Sequence, residues 1–363
     1  MVWVFSLLTF VIVLTTLLPL WRHPHWAVRG WDFPRLQLAS LAALLAVFQF
    51  IVLDFTAPSS WLMLLAVLLC LSWQLWWILP YTPLWPVEVK TTAGSRSAGT
   101  DNQLSIITAN VLASNHKSEL LIKQVQQHQP DVLVTLESDQ WWQQQLDSLE
   151  VSMPYSLKCP LDNLYGMHVY SRLPLTDTKI AFLVEDEVPS MHALLTLESG
   201  QQVRVHFLHP APPSPTENSQ SIERDAELVM VARSIADTQQ ATIVTGDLND
   251  VAWSRTTRLF RKLSGLLDPR VGRGMYNTFH AHYPYLRWPL DHLFHSHHFT
   301  LNNIQRLPSI GSDHFALLTT LTYTPEQGAD QEGITAEPED KALATDITQQ
   351  QGVNKASVPE PGK

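Results

Sequence analysis

A set of side chains suited to hydrolysis recurs at one kind of place in this sequence. Asn110, Glu137, His209, Asp247 and Asn249 each stand at or just past the end of a short apolar run. Asp291 lies inside such a run, and Asp313 and His314 lead into the last one. Each alone has a structural explanation as a turn residue, a helix cap or half of an ion pair. Asp291 is the hardest to explain so, because a carboxylate in a buried run needs a partner. Asp247 and Asn249 are two apart, so an extended turn points both to one side. Carboxylates and amides offer hard oxygen ligands, and histidines exchange protons near neutral pH. Together they suit attack of water on a phosphate ester. That reaction needs a cation on the phosphoryl oxygens, an aligned water and help for the leaving oxygen.

Such groups must be held by elements, and the elements are legible. Residues 104–109, 131–136, 167–170, 193–197, 203–208, 242–245, 290–294 and 315–321 are short, apolar and rich in β-branched residues, a strand signal. Helical spacing marks 117–129, 219–237 and 254–263. Strands outnumber helices, which fall between groups of strands, as in two packed sheets with helices outside. Sheet proteins gather their sites at strand ends and the loops beyond them.

In this chain order, Asn110, Glu137, His209, Gly246-Asp247-Leu248-Asn249, Asp291 and Ser312-Asp313-His314 resemble the endonuclease/exonuclease/phosphatase superfamily over residues 104–322. Asp268-Pro269-Arg270 and Trp288-Pro289-Leu290-Asp291-His292 are similar to its membrane-anchored bacterial branch. The resemblance implies an α/β (α+β) fold, a four-layered sandwich of two mainly antiparallel sheets flanked by helices. It implies a phosphoesterase that uses Mg²⁺ or Mn²⁺, with Glu137 as the leading metal ligand and Asn110 and Asp313 beside it. His209, Asp247, Asn249, Asp291 and His314 become the catalytic set. Asp247 and Asn249 orient the water, Asp291 fixes the His314 tautomer, and Asn110, His209 and Asn249 hold the substrate phosphate. Which histidine is acid and which base stays open. The Met167–Arg172 segment departs from the family pattern in carrying His168.

Three uncharged apolar runs precede this domain, at about 2–20, 36–53 and 61–79. Each is about the length that crosses a bilayer as a helix, and aromatic residues crowd their edges. No Lys or Arg precedes the first run, and two more runs follow it, which argues against a cleaved leader. Arg22, Arg29 and Arg35 lie between the first two runs, and Lys90 and Arg96 follow the third. The positive-inside rule then puts the first connection and the catalytic domain in the cytoplasm. With the resemblance, that means a bacterial inner membrane. The expected organisation is 1–86 for the spans, 87–101 for a linker, 102–324 for the catalytic domain and 325–363 for a disordered acidic tail.

Residues 101–324 hold sixteen basic and twenty-three acidic side chains, a balance that argues weakly against a tight non-specific nucleic-acid binder without excluding one. Arg255, Arg258, Arg261 and Lys262 share a helix face that suits phosphate tracking, or plain solvation. Trp253 can stack on a base or pack inside. His295, His297 and His298 read as surface histidines. Cys70 and Cys159 form no disulfide framework. The partners expected are a lipid bilayer and a phosphate-ester substrate, either nucleic acid or a lipid or small-molecule phosphate. The alternative is a membrane-anchored binding or scaffold protein with a catalytically weak site.

Overall fold

The computed structural model describes residues 2–92, 100–236 and 238–362. Residues 93–99 of the expected linker, Arg96 among them, and Asp237 at the end of an expected helix lie outside the described residues. The helices are α1 (Val2–Leu17), α2 (Trp26–Arg29), α3 (Arg35–Val52), α4 (Pro58–Ile78), α5 (Ser118–His128), α6 (Gln140–Leu146), α7 (Ile222–Ile235), α8 (Arg255–Ser264), α9 (Pro325–Gly328) and α10 (Pro338–Gln350). The strands are β1 (Gln103–Asn110), β2 (Val132–Leu136), β3 (Tyr155–Cys159), β4 (Met167–Ser171), β5 (Leu175–Ala181), β6 (Ser190–Thr196), β7 (Gln202–Leu208), β8 (Thr242–Asp247), β9 (Asp291–His295), β10 (Phe299–Ser309) and β11 (Phe315–Tyr323).

Two mixed sheets stack face to face, one in the order β10-β11-β1-β2-β4-β3 and the other β5-β6-β7-β8-β9. Each holds one parallel pair, β1 with β2 and β7 with β8, and the remaining pairs are antiparallel. A parallel pair needs a crossover, and α5 and α7 supply them. Period-two alternation sorts the side chains. Leu104 and Ile106 of β1 meet Val205, Phe207 and Ile243 in the core between the sheets. Ile107 and Ala109 face outward to Leu121, Val125 and Trp142 of α5 and α6. On the far side, Val244 and Phe294 pack against Leu228, Val231 and Phe260 of α7 and α8. The result is the expected four layers.

The same alternation carries the inner faces up to one end of the sandwich. On β1 it runs Ile106, Thr108, Asn110, and on β8 it runs Ile243, Thr245, Asp247. Thr108 and Thr245 hydrogen-bond across the gap at 2.7 Å. One step further, Asn110 and Asp247 meet.

Strands β3, β5 and β10 were not among those expected. β3 and β5 are largely exposed, and β10 alternates with polar residues and shifts register twice, so none has a continuous apolar signal.

α1, α3 and α4 are the helices long and apolar enough to cross a membrane among the described residues. Their outer faces expose Trp3, Phe10, Phe48, Ile51, Leu62 and Leu69. Polar bonds tie them inside: Gln49 donates to Thr9 at 2.8 Å, Gln74 to Thr16 at 3.0 Å, and Arg35 to Gln74 at 3.1 Å. Such interhelical bonds suit an apolar surround.

Two expected irregular segments are built into the domain. Val89 is in the core, and Leu301 of β10 bonds Lys90 and Thr92. The tail, expected as disordered, carries α9 and α10. Ala344 is buried with Val229 and Leu259, Lys262 pairs with Asp340 at 2.7 Å, and Arg233 bonds Thr345 at 2.7 Å. The tail has few apolar residues, but Leu343, Ala344 and Ile347 share one helix face, and that stripe docks it.

Candidate active site

The chemistry-bearing side chains converge where the two inner faces end. Asn110 lies at the centre. Its amide nitrogen donates to Glu137 Oε1 at 2.6 Å and to Asp247 Oδ2 at 3.2 Å, and its carbonyl oxygen accepts from the Leu112 N–H at 3.2 Å. The Leu112 donor fixes the amide orientation, so Asn110 presents N–H, not oxygen, to the carboxylates. Glu137 departs from β2 alternation because its φ is +54°, a left-handed turn that swings the carboxylate into the site.

Asp247 is gripped by its own loop: Asn249 N donates to Asp247 Oδ1 at 2.8 Å. Asn249 takes φ +50°, which asparagine tolerates better than most residues, and its side chain donates to Pro210 O at 3.0 Å. Buried Arg224 secures the turn by donating to Asn249 O at 2.7 Å and pairing with Asp250 at 3.0 Å. Gly246 is forced by close approach, because a Cβ there would run into the Leu208 carbonyl of the neighbouring parallel strand.

His314 bridges two carboxylates. Its Nδ1 meets Asp291 Oδ2 at 2.8 Å, and its Nε2 stands 3.6 Å from Asp247 Oδ2. Ser312 shapes the approach, accepting from His314 N at 3.0 Å and donating to Asp313 at 3.2 Å. Burial alone would lower the His314 pKa, but Asp291 and Asp247 raise it to about 10. His209 is the opposite case. Burial pushes it down to about 4, its Nδ1 has no hydrogen-bond partner, and its ring lies 5.4 Å from that of Tyr165. One histidine is therefore held cationic and the other neutral. Burial raises Glu137 to about 7 against the Asn110 bond and the His314 charge, with Asp313 and Asp247 adding to the rise. Burial likewise raises Asp247.

Where a metal would sit follows from the donor atoms. Ligand atoms of Asp247, Asp291 and His314 lie within 4.8 Å of one another, compact enough for an ion. Yet each His314 nitrogen faces a carboxylate, and an imidazolium has no lone pair to give. Glu137 fits better. It lines an open cavity with Asp313, and burial penalises its charged form, a cost that a bound divalent cation would offset. Hard oxygen donors of this kind suit Mg²⁺ or Mn²⁺.

The cavity has a volume of about 240 Å³ and brings together Glu137, His209, Asn249, Asp313 and His314. Asn110, Asp247 and Asp291 stand behind that wall. All the site residues expected from sequence thus belong to one constellation. Sequence reasoning missed Phe33, Tyr165, Glu217 and Phe279 on the cavity wall. It also missed Arg224, which had no signal beyond its place in an expected helix. The Asp268–Arg270 pair braces the Asp247 loop from behind. Arg270 bonds His292 Nδ1 at 2.6 Å, and His292 Nε2 bonds Asp250 O at 2.9 Å.

Three of the four basic residues of the suspected phosphate-tracking face are used internally. Arg261 pairs with Glu88, Lys262 with Asp340, and Arg258 lies over the Trp77 ring at 5.2 Å. Trp253 is buried and donates to Asp32 O at 2.8 Å. His295 is not a surface histidine but is buried in β9.

The model of the Endonuclease/Exonuclease/phosphatase family matches residues 107–314, more than half of the chain. Among solved structures, that of D. rerio TDP2 complexed with single strand DNA product is 20% identical with a TM-score of 0.50, covering 61% of this chain and 99% of that one. The human Nocturnin catalytic domain with bound sulfate anion is 17% identical with a TM-score of 0.50, covering 61% and 95%. An endonuclease/exonuclease/phosphatase from Beutenbergia cavernae is 14% identical with a TM-score of 0.50, covering 61% and 72%. At such identities the likeness is one of fold. No curated protein matches the chain.

Proposed function

The chain belongs to the Endonuclease/Exonuclease/phosphatase family, and from that premise we propose that it is a membrane-anchored, divalent-metal-dependent phosphoesterase of the bacterial inner membrane. The observation that carries this reading is the pairing, in one cavity, of a cationic His314 held by Asp291 and Asp247 with the Glu137 carboxylate held by Asn110. α1, α3 and α4 span the bilayer. The α1–α3 connection packs on the catalytic domain, since Arg29 pairs with Asp250, so both lie on one side. Arg22, Arg29 and Arg35 make that side cytoplasmic.

Glu137, with Asp313 near it, would hold Mg²⁺ or Mn²⁺, which when bound would supply positive charge for the phosphoryl oxygens. Asp247 accepts a proton from the attacking water as the new P–O bond forms, and the Asn249 N–H keeps Asp247 aimed. His314 donates to a phosphoryl oxygen that gains charge, and Asp291 fixes its ring. Neutral His209 and the Asn249 amide complete the phosphate cradle. The bond to the leaving oxygen breaks opposite the attacking water.

The test uses the full chain in detergent with bis(p-nitrophenyl) phosphate. Mg²⁺ or Mn²⁺ supports turnover, EDTA abolishes it, and Asp247→Ala and His314→Ala each remove most of it while the circular dichroism spectrum is kept. Full turnover in chelator would defeat the metal assignment, and near-normal turnover by either variant would defeat the site.

A further inference from the structure

We infer that the substrate is a phosphate ester carried by a membrane lipid, which enters the cavity from the bilayer surface; this rests on the phosphoesterase reading above and deepens it. The first observation is the origin of the cavity wall. Phe33, which lines it beside Leu290 and Phe279, comes from the connection between α1 and α3, two residues before α3 begins. Its ring meets Trp288 at 5.7 Å. The mouth of the site is therefore built in part by the membrane helices' own connection.

The second observation is the segment 280–287 between Phe279 and Trp288. It exposes Tyr283 (58%), Tyr285 (86%) and Leu286 (48%). Gln37, in the first turn of α3, donates to Tyr285 O at 2.8 Å, so this apolar tip stands level with the start of a span. Tyrosines and leucine at that level suit the zone where headgroups meet acyl chains. Trp21 and Trp85, past the ends of α1 and α4, are exposed at the same end of the bundle.

The third observation is that, among the described residues, the spans and their connections pack directly on the catalytic domain. Tyr81 donates to Ala252 O at 2.7 Å, Trp253 to Asp32 O at 2.8 Å, and Gly272 N to Pro80 O at 2.8 Å. Ala39 and Ile78 of the spans share one apolar cluster with Val251, Trp253 and Leu290. The mouth is thus held at the interface, not swung through solvent. A lipid places its phosphate in the cavity and leaves its chains against Phe33 and the 280–287 tip. A nucleic acid finds less to hold, because Arg258, Arg261 and Lys262, three of the four basic residues of α8, are engaged elsewhere.

The experiment uses the full chain in nanodiscs with Mg²⁺. Dioleoyl phosphatidic acid, phosphatidylglycerol and phosphatidylinositol are compared with their deacylated headgroup esters and with a single-stranded oligonucleotide, with bis(p-nitrophenyl) phosphate as a chain-free control. At least one lipid is expected to be turned over with a kcat/KM tenfold or more above its deacylated form. Its rate is expected to fall when it is diluted with a phosphate-free galactolipid at constant bulk concentration. Tyr283→Ser combined with Tyr285→Ser is expected to raise the interfacial KM several-fold with little change in kcat. Turnover of the control with no lipid hydrolysed, or with deacylated esters or oligonucleotide preferred, overturns the lipid inference alone. Absence of turnover on every compound, the control included, overturns the phosphoesterase reading beneath it.

Discussion

Replacing Asp291 by Asn tests the centre of the site, because the change keeps the side chain's shape and removes only its charge. His314 stands at about 10 where an ordinary histidine stands at 6.5. That difference corresponds to about 5 kcal/mol of preferential stabilisation of the imidazolium. Asp291 at 2.8 Å and Asp247 at 3.6 Å supply it against burial, and the nearer partner carries the larger part. Asp291→Asn should therefore cost about 3 kcal/mol, within the range for breaking a buried pair. In a domain of this size that lowers Tm by roughly 6–12 °C. The direction with pH follows from the raised value. A histidine raised in the folded state contributes fully below about pH 6.5, and the contribution fades as pH rises through about 10. The Tm gap between wild type and variant should be widest near pH 6.5 and close toward pH 10. Turnover of bis(p-nitrophenyl) phosphate should fall by about 100-fold or more, as for loss of a positioned proton donor. A variant keeping more than a third of wild-type kcat, or a Tm gap constant from pH 6.5 to 10, would refute the assignment of Asp291 as the residue that charges and orients His314.

Glu227 is buried in α7 with Oε1 unpaired, and burial, with Glu185 adding to it, raises its pKa to about 8. A raised carboxyl is protonated when folded and ionised when unfolded, so wild-type stability should fall as pH rises from about 4.5 to 8. Glu227→Gln should remove that slope, for a gain of up to about 5 kcal/mol at pH 8, and parallel Tm-versus-pH curves for the two proteins would contradict it. Gly246→Ala should cost more than about 2 kcal/mol through the clash with the Leu208 carbonyl, and an unchanged Tm would show that β7 and β8 do not approach so closely.

Much of the fold was legible because its signal is local. Buried strands such as β2 and β8 are short runs rich in β-branched residues, and period two alone predicts that residues capping the inner faces share one end of the sandwich. The site was legible for the same reason: Asn110, Asp247 and Asp291 are polar residues where the alternation calls for apolar ones. What stayed hidden depends on distant partners. β5 has an exposed face and gains strand character from its pairing with β6. Arg261 looked like a solvent-facing cation, and only the fold reveals Glu88 across from it. Phe33 carried no signal as a cavity residue, because nothing in a chain places a connection between two spans beside a strand end hundreds of residues later. The Asn110 role is equally a matter of geometry, since its type fits a ligand and a donor alike and the Leu112 N–H decides between them.

The contacts between spans and domain change what the N-terminal helices are for. A tether needs only length, yet here the helices and the chain that follows them complete the catalytic body. Glu88 accepts from buried Arg261 at 2.5 Å and from Asp268 N at 2.8 Å, and Asp268 in turn orients Arg270, which bonds His292 behind the Asp247 loop. Without residue 88, Arg261 would be a buried, unpaired cation, a loss of about 3–5 kcal/mol for a pair broken on one side. Without Tyr81, Phe33 and Ile78, the surface formed by Val251, Trp253 and Leu290 would lie open as an apolar patch beside the cavity. The support of Asp247 thus runs through side chains that lie before the domain begins. On the proposed membrane-anchored reading, attachment and catalytic geometry are properties of one packed unit, and the bilayer surface would be part of the environment in which this site is assembled.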